Sequence, residues 1–183
     1  MIINTDNHVV LVDENDNVLG TEDKLTVHHL NTPLHRGFSV FVFNDKKEII
    51  IQKRSSNKKT WAKFWSNSFC GHPRLNESYE EAVHRYSLFE LGIPIQKLFF
   101  ISNYRYKFTL NNITENEICP IYLALSNSEV NINKDEIEEI KILKWTDFLT
   151  FMEKNLDSFS PWCIEEVEIL KNSSIFNKVI LSI

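Results

Sequence analysis

Two strand-like hairpins, one helix, two further strand-like stretches and two more helices follow one another along this chain. That order restricts the fold more than any other feature of the sequence. Residues 8–20, HVVLVDENDNVLG, read as a hairpin around an Asp/Asn turn, and residues 38–55, FSVFVFNDKKEIIIQKRS, as a second one turning at Asn44 to Lys47. Residues 77–92, ESYEEAVHRYSLFELG, predict a helix. Tyr79, Ala82, Val83, Tyr86 and Phe89 recur at helical spacing, and Gly92 ends it. KLFFISNYRYKF and ITENEICPIYLAL read as strands, KWTDFLTFMEKN and PWCIEEVEILKN as helices. Strands, helix, strands and helices in this order predict an α/β (α+β) layer fold. No repeat or low-complexity linker divides the chain, so residues 1–183 are expected to form a single compact domain, long enough to bury a core.

A formal net charge of −5 argues against general nucleic-acid binding. Cys70, Cys119 and Cys163 are an odd number without close pairing, which points to a reducing compartment rather than a disulfide framework. The first residues are poor in basic charge and read as neither signal nor transit peptide. No uncharged apolar run approaches a membrane span. A cytoplasmic protein without membrane contact is expected.

Three groups of residues could carry chemistry. Glu115 and Glu117 are two apart in TENEICP, so in a strand they share a face. They mark either a solvent-facing edge or, since an apolar strand follows, a carboxylate pair that needs a cation between its members. His28, His35 and His72 read either as satisfied structural histidines or, with the two glutamates, as ligands for Zn²⁺, Mn²⁺ or Fe²⁺; their spacing fits no short metal motif. QKRSSNKKTWAKFW gathers Lys53, Arg54, Lys58, Lys59 and Lys63, either a solvated face or a site for a small phosphorylated ligand. Glu90 falls on the apolar face of the predicted helix, where it needs a partner or reaches solvent at the last turn.

Gly71, Glu77, Arg85, Glu90, Gly92 and Ile93 stand at the spacing of the Nudix box, but Tyr86 and Phe89 occupy two of its glutamate positions. With NSFCGHP, TENEICP, SNKKTWAKFWSNS, YRY and FSPW, the chain resembles the type I isopentenyl-diphosphate Δ-isomerases, a branch of the Nudix superfamily, from about His8 to the helix after Trp162. The resemblance implies Nudix-like mixed β-sheets flanked by helices. It also implies conversion of isopentenyl diphosphate to dimethylallyl diphosphate through a tertiary carbocation, in isoprenoid biosynthesis.

Carried over position by position, the family's divalent-metal site falls on His28, His35, His72, Glu115 and Glu117, for Mn²⁺, Zn²⁺ or Mg²⁺. Its catalytic pair falls on Cys70, as a thiolate base, and Glu117, as the acid. Tyr106 is the tyrosine assisting that acid, and Trp162 the tryptophan facing the substrate's hydrocarbon. Glu90 and the carbonyl of Cys70 fall on a Mg²⁺ site bridging to the diphosphate, which Lys24, Arg54, Lys58 and Arg85 are expected to hold. Tyr86 replaces a second arginine near the diphosphate, and the spacer between YRY and ENE is short. A small-molecule diphosphate is the implied partner, and the chain is expected as a monomer or weak homodimer. The rivals are a Nudix hydrolase, which would have no role for CGHP and ENE, and a binding module without activity.

Overall fold

A computed structural model describes residues 7–183; residues 1–6 of the single domain expected from the sequence lie outside the described residues. The order is β1 (His8–Val12), β2 (Val18–Asp23), α1 (Lys24–Val27), β3 (His35–Arg36), β4 (Phe38–Phe43), β5 (Glu48–Arg54), β6 (Trp65–Ser66), β7 (Phe69–Gly71) and α2 (Tyr79–Tyr86). Then come β8 (Lys97–Ser102), β9 (Arg105–Leu110), β10 (Ile113–Ile118), β11 (Ile121–Leu125), β12 (Ile137–Lys144), α3 (Trp145–Lys154), α4 (Pro161–Asn172) and α5 (Ser174–Ser182).

The larger sheet runs β12-β5-β4-β11-β8, with β6 on β5 and β7 on β4. Its centre is buried on both faces, and the alternation of side chains divides the core between them. Phe38, Val40 and Val42 of β4 pack with Ala82, Val83 and Tyr86 of α2. Phe41 and Phe43 of the same strand join Phe148 of α3, Val167 of α4 and Phe176 of α5 on the other side. The layers are therefore helix, sheet and helices. Among the described residues, no helix is long and apolar enough to cross a membrane.

The smaller sheet runs β2-β1-β3-β10-β9. Three chain segments pass directly from one sheet to the other. β3 continues into β4 through Gly37, β8 into β9 through Asn103 and Tyr104, and β10 into β11 through Cys119 and Pro120. Backbone bonds join these crossings, from Gly37 N–H to Ile118 O at 2.9 Å and from Cys119 N–H to Tyr104 O at 2.8 Å. Each of the two strand-like stretches read from the sequence is thus two strands in different sheets. β12 and α5 have no counterpart in the sequence reading.

The hairpin of β4 and β5 turns at Asn44–Lys47 as expected. The short spacer after YRY is a two-residue turn, with Asn111 and Asn112 both at positive φ, a conformation asparagine tolerates. The helix over 77–92 begins with a capping box between Ser78 and Glu81 but does not stay regular. Ser87–Leu91 form a π turn, closed by Gly92 at φ 66°. The extra residue in that turn rotates the faces that follow. Phe89, placed on the apolar face by regular spacing, is 53% exposed, while Glu90 is 2% exposed.

Candidate active site

Strand register assembles the site at the seam between the sheets. Glu117 of β10 lies beside His35 of β3 on one side and Tyr106 of β9 on the other. His28 caps α1, and its Nδ1 meets Lys24 O at 3.1 Å; His35 Nδ1 meets Pro33 O at 2.9 Å. Backbone oxygens only accept, so each ring donates from Nδ1 and keeps a lone pair on Nε2. His72, just after β7, completes the set. Its Nε2 lies 3.0 Å from Glu117 Oε1, and that of His35 lies 3.5 Å from the same oxygen. One ligand atom from each of His28, His35, His72 and Glu117 falls within 4.8 Å of the others.

Glu115 stands at the margin of this group. Its Oε2 is 3.0 Å from His28 Nε2, and its Oε1 accepts from Thr60 Oγ1 at 2.5 Å. His28 Nε2, His35 Nε2 and Glu115 Oε2 are all buried without a hydrogen-bond partner. Buried orphan atoms on two imidazoles and one carboxylate, beside His72 and Glu117, make a donor set that suits a divalent transition metal. Four of the five residues named from the sequence thus converge, with Glu115 alongside. Burial raises the Glu117 carboxyl, but His72 and then His35 outweigh it and hold the group well below the usual carboxylate range. Burial also depresses His72, to about 4, against the pull of Glu117.

Cys70 lies on β7, opposite Ser39 of β4. Its thiol donates to Asn67 Oδ1 at 3.1 Å and sits 3.4 Å from Ser39 Oγ. Burial, with Glu166 adding to it, pushes the thiol up to about 12. Burial thus favours the thiol over the thiolate that the resemblance implies. Burial, then Glu117, likewise keeps Tyr106 a neutral phenol.

Tyr106 stacks on Trp162, with centroids 5.7 Å apart and planes 20° apart. Trp162 also meets Trp61 edge-on at 5.2 Å and donates from Nε1 to Ser66 Oγ at 3.1 Å. Tyr106 and Trp162 line a cleft of about 470 Å³ that also reaches Cys70, His72, Glu115 and Glu117. Lys24, Arg54 and Lys58 line the same cleft. Arg54 is fixed by the carbonyl oxygens of Thr60 and Trp61 and lies 5.4 Å from the Trp162 ring centre. Lys24 Nζ lies 5.7 Å over the ring of Tyr86, so the tyrosine in place of an arginine offers its face to a cation.

Two expected residues lie away from the cleft wall. Arg85 is not among its lining residues. Its guanidinium is held by Glu77, from Nε to Oε1 at 2.7 Å, and by His72 O at 3.2 Å. With its charge already matched by Glu77, it braces the His72 loop. Glu90 is buried behind the lining, where Gln52 Nε2 donates to it at 3.3 Å. Burial raises its carboxyl, opposed by Lys58, Lys24 and Arg54.

The sequence reading did not single out Glu136, which lines the cleft and pairs with Lys58, nor Ser39, Asn67 and Thr60, which hold reactive groups in place. It also passed over Glu166, which is fully buried. That residue carried a signal: it stands four after Trp162 on the helix, so the two share a face. An acidic run, NKDEIEE, hides Glu136.

The NUDIX domain family matches residues 33–163. The isopentenyl-diphosphate Delta-isomerase of Salmonella paratyphi B is 39% identical over 165 residues, covering 87% of this chain and 90% of that protein. The DR0079 protein of Deinococcus radiodurans shares the fold at a TM-score of 0.61 and 21% identity, over 81% of this chain and 90% of that one. The NUDIX domain of Shewanella oneidensis NrtR, solved with ADP ribose, does so at 0.57 and 14%, over 75% and 85%. The structures establish the fold, and the identity along nearly the whole of a curated relative establishes the branch: this chain belongs to the isopentenyl-diphosphate Delta-isomerase family of the Nudix superfamily.

Proposed function

We propose that the cleft converts isopentenyl diphosphate to dimethylallyl diphosphate, with Cys70 and Glu117 as its two proton-transfer residues. The observation that carries this reading is their placement in one cleft, with the stacked Tyr106 and Trp162 and with Lys24, Arg54 and Lys58 also in its lining. The diphosphate end supplies binding energy remote from the chemistry, and that energy holds the alkene in place. Tyr106 and Trp162 exclude water, which would otherwise trap a tertiary carbocation. The Trp162 π face stabilises the cation by about 2 kcal/mol when desolvated.

One residue of the pair gives a proton to the terminal methylene, and the other removes one from the carbon nearer the diphosphate. A C–H bond forms at one end, a C–H bond breaks at the other, and the double bond moves between them. Each turnover passes the pair's proton from one residue to the other. The family resemblance gives the donor role to Glu117, with Tyr106 beside it, and the acceptor role to Cys70. At rest the proton is on sulfur and the carboxylate is ionised, so Glu117 is loaded before it donates.

His28, His35, His72 and Glu117, with Glu115 beside them, would hold a divalent ion whose charge fixes and tunes the Glu117 carboxylate. By the family resemblance, Glu90, behind the lining, and the Cys70 carbonyl would hold a Mg²⁺ ion that accompanies the diphosphate. Only one central glutamate of the Nudix box is present, which disfavours hydrolysis.

Incubation with isopentenyl diphosphate and Mg²⁺ in D₂O tests the reading. Dimethylallyl diphosphate with deuterium in a methyl group is expected, because the donor exchanges with solvent. Release of phosphate or monophosphate instead would identify a hydrolase, and an unchanged substrate a binding module. Elemental analysis should find the divalent ion, and its complete removal should abolish turnover.

A further inference from the structure

Among the described residues, Glu136 is the acid paired directly with one of the cations assigned to the diphosphate, Lys58. Its carboxylate pairs with Lys58 Nζ, and both side chains are about four-fifths buried, at 22% and 19% exposure. It lines the cleft together with Lys24, Arg54 and Lys58. Burial raises its carboxyl, but Lys58, then Lys24 and Arg54, outweigh burial and keep it ionised. The backbone holds it there from both sides: Glu136 O accepts from Ser55 N–H at 3.0 Å, and Glu136 N–H donates to Asn133 O at 3.1 Å. The residue is thus anchored to the loop that carries Lys58, rather than hanging into the cleft by chance.

An anion in an anion site works against its ligand. Repulsion between Glu136 and a diphosphate grows in proportion to the ligand's charge. A metal-free diphosphate carries that charge in full. Its Mg²⁺ complex carries two charges fewer, and it offers a cation to which the carboxylate is attracted. The same side chain therefore penalises one form of the ligand and spares the other, and specificity is set by such a difference.

We infer that Glu136 is a specificity-determining residue that makes the cradle of Lys24, Arg54 and Lys58 select the Mg²⁺-complexed diphosphate over the metal-free one. In the empty cleft it also serves as the counter-charge that lets three cations share a half-buried wall. The inference rests on the reading of those three cations as the diphosphate site.

Titration calorimetry with inorganic diphosphate, in chelator and in excess Mg²⁺, tests both layers. Wild type is expected to bind the Mg²⁺ complex about tenfold or more tightly than the metal-free ion. Glu136→Gln should bind the metal-free ion several-fold more tightly than wild type does, so that the preference collapses to about threefold or less. Glu136→Asp keeps the charge and should restore the preference. Glu136→Ala gives the same reading as the glutamine variant should that one fail to fold in a thermal melt. Glu138→Gln, which unpairs the half-buried Lys53 outside the cleft lining, should match wild type. An unchanged preference in Glu136→Gln and Glu136→Ala, or an equal loss for both ligands, overturns the role of Glu136 while leaving the diphosphate site standing. Wild type that binds neither form overturns the site and the inference with it.

Discussion

Gly37 and Glu117 compete for the same space: a Cβ at position 37 would fall inside the Glu117 carboxylate. The glycine sits where β3 crosses into β4, and its absent side chain is what lets the buried carboxylate lie against His35 and His72. Gly37→Ala is expected to leave the secondary structure intact while displacing Glu117. Misplacement on the order of 1 Å lowers rates about 10²-fold. Circular dichroism, metal stoichiometry and kcat/KM measured together check this; a variant with full metal content and full activity would refute it.

Cys70→Ala should stay folded, because the thiol's contacts are two weak ones, to Asn67 and Ser39. It should also keep its divalent ion, since the sulfur is not one of the converging ligand atoms. Isomerisation should fall by about 10²- to 10⁴-fold, the contribution of one general acid or base. Glu117→Gln should lose both activity and part of the metal. Near-normal turnover by Cys70→Ala would remove it from the catalytic pair.

Lys58 and Arg54 should separate in kinetics. The Lys58 ammonium pairs with Glu136 at the cleft lining, so Lys58→Ala is expected to raise KM while kcat changes little, as loss of uniform binding does. Arg54 also holds the Thr60 and Trp61 carbonyls and lies over Trp162. Arg54→Ala should therefore lower kcat as well as raise KM, and it should lower the melting temperature. Equal effects from both variants would mean that Arg54 acts as a charge alone.

Glu166 gives a pH signature. Burial pushes its carboxyl well above the usual range, so the folded protein keeps its proton after the unfolded chain has lost it. Its stabilisation is fully present below the unfolded value of about 4.3 and is lost as pH rises toward the folded one. Glu166→Gln has no such dependence. Its stability relative to wild type should therefore grow from about pH 4.3 upward by about 1.4 kcal/mol per unit, or a few degrees of melting temperature per unit at this chain length, about 2–4 °C per kcal/mol. Thermal melts of both proteins across pH 4 to 8 check the slope, and a constant difference would show that Glu166 is ionised in the fold.

Local pattern made most of the elements legible. The turn at Asn44–Lys47 and the amphipathic α3 depend on neighbours in sequence and stand where the sequence places them, and α2 begins within the span expected of it. The π turn was not legible: spacing assumes a regular helix and puts Phe89 and Glu90 both on the apolar face, whereas one extra residue in the turn leaves Glu90 buried and turns Phe89 outward. The sheet crossings at Gly37, Asn103–Tyr104 and Cys119–Pro120 were not legible either, because a strand that changes sheets keeps its strand composition.

The same division runs through the site. Residue type made His28, His35, His72, Glu115 and Glu117 candidates, since imidazole and carboxylate have their properties before the chain folds, and the family resemblance gave them and Cys70 their expected roles. Their environment belongs to the fold. Burial keeps the Cys70 proton on sulfur, register sets Glu117 between His35 and Tyr106, and Glu77 takes Arg85 away from the substrate. Each of these depends on contacts between residues distant in sequence, where desolvation and charge act through space and not along the chain.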